Sequence, residues 1–301
     1  MSIALIRMGD LFIVGLAGFL ASFVDGALGM GFGPTSSSIL LARGFSPAIV
    51  STIVNLAKVA TGLSAAAAHW KFRNIDRRLV LKLAIPGSFG ALVGVTILTN
   101  VDGNKLKPYL AALLLLVAIR ILARFSNLPS RPAGADEDSL PTYDERGTIP
   151  TAAIGGVTNG MVGAWGPVVT PFLLHKGLAP RFAIGSVNTA EVAVAVVASG
   201  SLLGSIGGGG VDFGIVLAML IGGVIASPIA AWSIRFMPAR ALGLAVGALL
   251  LTTNVRELSN WADLGAPRWF GYAAIAVVTT LAAYRPRIAE RRRLGLDPAA
   301  A

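Results

Sequence analysis

The stretch Asp25-Gly26-Ala27-Leu28-Gly29-Met30-Gly31-Phe32-Gly33-Pro34 interrupts an apolar run that extends from about residue 11 to residue 42. Four of its positions are glycine and it ends on proline. Proline removes a backbone donor and clashes with the preceding helical turn. An overlong run broken at its centre predicts two half-helices around an unwound stretch. A second break of this kind lies in the run 149–175, at Gly155-Gly156, Asn159-Gly160, Gly163 and Gly166-Pro167. The two are copies. Gly33-Pro34, Leu40-Leu41, Gly44, Pro47 and Val54-Asn55 recur as Gly166-Pro167, Leu173-Leu174, Gly177, Pro180 and Val187-Asn188, each 133 positions later. Recurrence at a fixed offset marks a duplicated unit. In membrane proteins, matching Gly/Pro-interrupted segments in two halves point to a carrier with its site between them.

Composition places both copies in lipid. Hydrophobic residues make up 54% of the 301 positions and charged residues 13%, with a mean hydropathy of +0.73. A soluble domain carries about 25% charged residues. Further apolar runs lie at about 46–69, 79–99, 107–125, 180–204, 212–236, 239–256 and 267–284, and a spanning helix needs about 20 residues. Unwound backbone at that depth persists only where it is buried in protein or lines a wet cavity. The absence of cysteine leaves no disulfide framework and no thiolate metal site. Residues 1–20 hold Arg7 and Asp10 and run straight into the first repeat, so no cleaved signal peptide is expected.

The net charge of +10 raises the question of nucleic acid, but the placement of the charge argues against it. Basic residues fall between the apolar runs and in the tail, at Arg285, Arg287, Arg291, Arg292 and Arg293. With inverted halves and a cytoplasmic C-terminus, sixteen Lys and Arg lie inside and six outside; with parallel halves the division is thirteen to nine. The positive-inside rule therefore favours inversion. Inversion requires the fifth segment to dip in and return on one side. Residues 126–147 carry Pro129, Pro132, Pro141 and five acids, and read as a solvated linker. Trp70, Tyr109, Trp232, Trp269 and Tyr284 lie near segment ends, as interfacial anchors do.

Chemistry-bearing residues are few. Lys58 follows Asn55 by one turn, and Glu191 follows Asn188 by one turn at the matching place in the second repeat. The i, i+3 spacing puts each pair on one helix face. Charge at bilayer depth is costly and marks a candidate site. The two side chains carry opposite charge, so they form either a structural ion pair or a switchable one, in which Glu191 takes a proton and frees Lys58 for an anion. The half-helix ends are the second candidate, because exposed N–H groups and the positive end of the dipole suit anions. Thr35, Ser36, Ser37 and Ser38 follow Gly33-Pro34; Trp165 precedes Gly166-Pro167 and Thr170 follows it. Asp25 either caps a half-helix or faces the substrate path. The Gly87, Gly90, Gly94 row and Gly222-Gly223, Ala226, Ala230 read as helix-packing surfaces. His69 and His175 read as interfacial, Gly207 to Gly210 as a flexible turn. No metal site, cofactor or catalytic residue is expected, and no nucleotide-binding Gly-rich loop with Lys-Ser/Thr exists.

The broken segment Gly29 to Pro34, Gly44-Phe45-Ser46-Pro47, Asn55, their recurrence at Gly163 to Asn188, and the Gly87/Gly90/Gly94 row resemble the TauE/SafE family, also called the toluene sulfonate uptake permease family. The resemblance covers roughly residues 10–256. It implies a multi-pass plasma-membrane carrier of sulfur-containing anions such as sulfite and sulfonates. It also implies two four-helix units in inverted arrangement. At the second break Ala164-Trp165 stands where the first has Met30-Gly31-Phe32.

The expected protein is thus all-α: a polytopic transmembrane helical bundle of two inverted four-helix repeats with broken first helices, plus one C-terminal helix. Its units are a first repeat (1–125), the linker (126–147), a second repeat (148–256), and an extra transmembrane helix with a basic cytoplasmic tail (257–301). The expected activity is secondary transport of a small anion by alternating access, driven by an ion gradient or the membrane potential. Asn55, Lys58, Asn188, Glu191, Gly33, Pro34, Thr35, Ser36, Gly166, Pro167, Trp165 and Thr170 are the expected substrate-binding positions. The expected partners are that anion, the lipid bilayer, a coupling proton or ion, and a second copy of the chain as a homodimer, with no nucleic acid. The rival readings are an anion or small-solute channel, an intramembrane enzyme, and a membrane scaffold whose partner site is the linker.

Overall fold

The computed structural model describes residues 8–28, 30–126, 143–207, 211–233, 239–263, 265 and 268–293. Most of the 126–147 linker, Gly29, Gly208 to Gly210 and the side chains of the arginine-rich tail lie outside the described residues. The described chain is helical throughout: α1 (Met8–Leu28), α2 (Phe32–Ala42), α3 (Pro47–Lys71), α4 (Arg77–Asn100), α5 (Gly103–Ser126), α6 (Thr148–Val162), α7 (Gly166–His175), α8 (Pro180–Ile206), α9 (Phe213–Ser233), α10 (Ala239–Trp261) and α11 (Arg268–Arg293).

Each overlong run is two helices. Residues 29–31 separate α1 from α2, and residues 163–165 separate α6 from α7. Gly31 has φ 148° and Gly163 has φ 68°, a region glycine enters without a steric penalty. Both broken segments double back. Arg43, just past α2, lies 4.0 Å from Asp10 at the start of α1. Lys176, just past α7, bonds Asp144, just before α6, at 2.6 Å. That bond holds the exposed Asp144 carboxyl below its ordinary range. Elsewhere helix starts follow local chemistry. Ser46 Oγ accepts from the Ile49 amide ahead of Pro47, and the Asp76 carboxylate accepts from the Arg78 and Leu79 amides.

The halves interleave rather than sit side by side. α1 packs on α9, α4 on α6, α3 on α8 and α5 on α10. Glycine makes the closest of these seams. A Cβ on Gly90, Gly94, Gly156 or Gly160 would overlap backbone of Ala153, Val157, Gly87 or Ala91, respectively. On the α1–α9 seam Gly18 meets Met219 and Gly222 meets Gly15 in the same way. Close backbone approach of this kind substitutes for a hydrophobic drive that lipid cannot supply.

Polarity runs inside out. Phe12, Leu81, Ile85, Phe89, Leu217, Val224, Phe270 and Leu281 are exposed, while Thr35, Ser36, Ser37, Ser38, Ser51, Thr52, Asn55 and Asn159 are buried. A contiguous apolar exterior is a liability in water, and hydrocarbon is the solvent it suits. Among the described residues, four helices are long and apolar enough to cross a bilayer: α3, α4, α5 and Phe182–Ile206 of α8. Phe213–Ala226 and Trp269–Ala282 are shorter apolar stretches. Trp70, Tyr109 and Trp269 are exposed near helix ends, where interfacial aromatic residues belong.

Candidate functional site

The two breaks meet at their tips. Gly33 abuts the Gly163 carbonyl so closely that a Cβ there would overlap it. Ser37 Oγ donates to the Val162 carbonyl at 2.8 Å, fixing α2 against the end of α6. Around this junction lies a small cavity. Asp25, Met30, Gly31, Phe32 and Gly33-Pro34 line it from the first break, Gly163 and Gly166-Pro167 from the second, Lys58 from α3, and Asn188 and Glu191 from α8.

Lys58 and Glu191 meet here in an ion pair, one side chain 6% exposed and the other 18%. Lys58 Nζ also donates to the Gly163 carbonyl at 2.6 Å and to Asn159 Oδ1 at 3.2 Å. All three ammonium donors are therefore used. α2 and α7 both begin at the cavity, and the first amides of a helix have no intrahelical partner. The Phe32 amide bonds Asp25 Oδ1 at 3.2 Å, so Asp25 caps the half-helix and lines the cavity at once. The amides of Gly33 and Gly166 are first-turn donors of the same kind. Together these groups bring partial positive charge from two helix ends, one ammonium and two carboxyl groups into one small volume.

The remaining expected positions are placed differently from one another. Asn55 is spent on structure. Its Nδ2 donates to the Ser51 carbonyl at 2.9 Å, to Ser51 Oγ at 3.1 Å and to the Asn159 carbonyl at 3.3 Å, and its Oδ1 accepts from Asn159 Nδ2 at 2.7 Å. Asn188, its repeat counterpart, lines the cavity and has no hydrogen-bond partner among the described residues. Trp165 is fully buried, packs beside Gly87 and Gly155, and donates its indole N–H to the Val187 carbonyl at 3.1 Å. Ser36 Oγ bonds back to the Phe32 and Gly33 carbonyls at 2.5 and 3.2 Å. Thr35 and Thr170 are buried with unpartnered hydroxyls. Asn55, Trp165, Ser36, Thr35 and Thr170 are absent from the cavity lining.

Sequence reasoning missed Asn159, Ser51, the role of Ser37, and Met30 as lining. Asn159 binds Lys58 and Asn55 together. The available signal was a carboxamide inside an otherwise apolar broken run, a group that must find partners at that depth. Ser51 Oγ donates to the Gly160 carbonyl at 2.7 Å, and nothing in the local sequence announces that.

A family model described as Sulfite exporter TauE/SafE matches residues 14–256. The chain is 38% identical over 274 residues to the probable membrane transporter protein YtnM of Bacillus subtilis (strain 168), covering 90% of each chain. It is 26% identical over 249 residues to the probable membrane transporter protein YdhB of the same organism, covering 81% of this chain and 95% of the relative. No solved structure matches the chain. With its duplicated broken helices, its bilayer-suited exterior and a family match across most of its length, the chain belongs to the TauE/SafE family of membrane transporters.

Proposed function

We propose that this protein is a secondary transporter that moves a small anion, an oxidised sulfur anion such as sulfite or an organosulfonate, by alternating access between two inverted repeats. One observation carries the reading: the N-terminal ends of two half-helices, one from each repeat, converge with Lys58 and the unpartnered Asn188 on one cavity at the centre of the packed repeats. Helix ends of this polarity favour anions. The sulfur chemistry rests on the family description.

The contacts support inversion. α1 starts where α2 ends, and α3 leads from there through 25 residues to the start of α4. Lys82, near that start, pairs with Glu145, just before α6. α1 and α6 are repeat counterparts and so begin at opposite ends of α3. Rocking one repeat against the other would expose the cavity to each side in turn. The Lys58–Glu191 pair would serve as the coupling element, since a proton on Glu191 weakens its hold on Lys58. The distribution of Lys and Arg supports a cytoplasmic C-terminus, and a plasma-membrane location is what the family resemblance implies.

Uptake into proteoliposomes tests the proposal. Sulfite or methanesulfonate flux should saturate, proceed without ATP, and fall about tenfold in Asn188→Ala, the loss expected when one hydrogen bond to a charged group is removed. Flux that rises without saturation would indicate a channel, and no flux of sulfite, methanesulfonate, sulfate or acetate would end the anion reading.

A further inference from the structure

Arg124 stands in the last turn of α5, beside the first break. Phe125, its neighbour, is buried against Gly243 of α10, which anchors the end of the helix. The half-buried Arg124 side chain turns toward the break, and its Nη1 donates to Met30 Sδ at 3.7 Å. Met30 is buried and lines the cavity. The guanidinium also lies 5.7 Å from the centre of the Phe125 ring.

These contacts leave the group underused. A guanidinium presents five N–H donors in a planar fork that matches an oxyanion, and a thioether is a weak acceptor. Among the described residues no carboxylate lies within 4.0 Å of Arg124, whereas Arg43, Lys58, Lys82 and Lys176 each have one. A cation at the end of a helix is favoured by the dipole, but that does not direct it inward. A long basic side chain at an interface ordinarily extends outward to water and headgroups, and this one reaches a cavity residue instead.

We infer that Arg124 forms a second oxyanion subsite at the mouth of the cavity, on the side where α5 ends, and holds the transported anion on its way to or from the Lys58 centre. The inference rests on the anion-carrier reading.

Binding of sulfite and of methanesulfonate to the purified full-length protein in lipid-free detergent tests it, by calorimetry, on the wild type, Arg124→Gln, Arg124→Lys and Asn188→Ala. Arg124→Gln should weaken both anions about tenfold, and Arg124→Lys about threefold because charge remains while the bidentate fork is lost. If the Gln variant does not fold, the Lys variant decides: unchanged affinity overturns the inference. Wild-type affinity in Arg124→Gln also overturns it. So does a change confined to stabilisation by added anionic phospholipid, which would make Arg124 a headgroup anchor. If Asn188→Ala weakens binding and Arg124→Gln does not, the subsite alone is wrong. If the wild type binds neither anion, the subsite and the carrier reading both fall.

Discussion

The two breaks descend from one unit, yet they are held in different ways. Side chains of the first repeat clamp the second break: Ser37 bonds the Val162 carbonyl, Ser51 the Gly160 carbonyl, Asn55 the Asn159 carbonyl, and Lys58 both Asn159 Oδ1 and the Gly163 carbonyl. The positions matching these four in the second repeat are Thr170, Ile184, Asn188 and Glu191. Thr170 has an unpartnered hydroxyl, Ile184 has nothing to donate, Asn188 has no partner among the described residues, and Glu191 pairs with Lys58. Among the described residues the reciprocal clamp on the first break is missing. The shared pattern thus goes with one wall held by hydrogen bonds and another on which the Asn188 carboxamide is left free. The fixed wall is a scaffold, and Asn188, which lines the cavity, is what a solute can use.

The sharpest contrast concerns the charged pair. Lys58→Met leaves Glu191 unpaired at bilayer depth and strips donors from Gly163 and Asn159. Breaking a buried pair from one side costs about 3–5 kcal/mol. Glu191→Gln removes one charged partner while Lys58 keeps Gly163 and Asn159, so the expected loss is about 1.5–3 kcal/mol. Thermal unfolding of both variants in the same detergent measures the difference. A larger loss for Glu191→Gln would mean that the second repeat carries the clamp after all.

The asparagines separate stability from binding. Asn55→Ala leaves Asn159 Nδ2 without its acceptor in a buried site, at about 1–3 kcal/mol. Asn188→Ala breaks no bond, and its unfolding midpoint should stay within the ~0.5 kcal/mol scatter of neutral changes even as anion affinity falls. Equal destabilisation by the two would erase the distinction between the walls.

What was legible in the sequence divides along the same line. The breaks themselves, the small-residue seams and the Lys58–Glu191 register are written as local patterns plus one constant offset, and the contact between those two residues spans 133 positions. The offset treats counterparts as equivalent, so it paired Asn55 with Asn188 and could not reveal that only one of them is occupied. The Asn55–Asn159 clasp joins residues 104 apart that are not repeat counterparts. Trp165 and Phe32 are counterparts, yet the indole is buried on the Val187 carbonyl while Phe32 lines the cavity. Those outcomes depend on how α4, α6 and α8 pack around each break, and no period in the chain encodes that. Arg124 was read only as one charge in an orientation count, because its reach to Met30 is a tertiary contact.

The smallest expected effect is the cleanest, because it changes sign between the two walls. Ser37→Ala deletes the hydroxyl that holds α2 to the Val162 carbonyl and should cost about 1 kcal/mol. Thr170→Val, at the matching position, removes a buried hydroxyl that has no partner and replaces it with a methyl of nearly the same shape. An unpaired buried hydroxyl carries a desolvation penalty, so this variant should unfold at the same temperature as the wild type or slightly above it. Midpoints measured side by side in one detergent decide the matter. If Thr170→Val falls as far as Ser37→Ala, the Thr170 hydroxyl has a partner in the membrane-embedded protein, and the wall built on the second repeat is tied down as firmly as its twin.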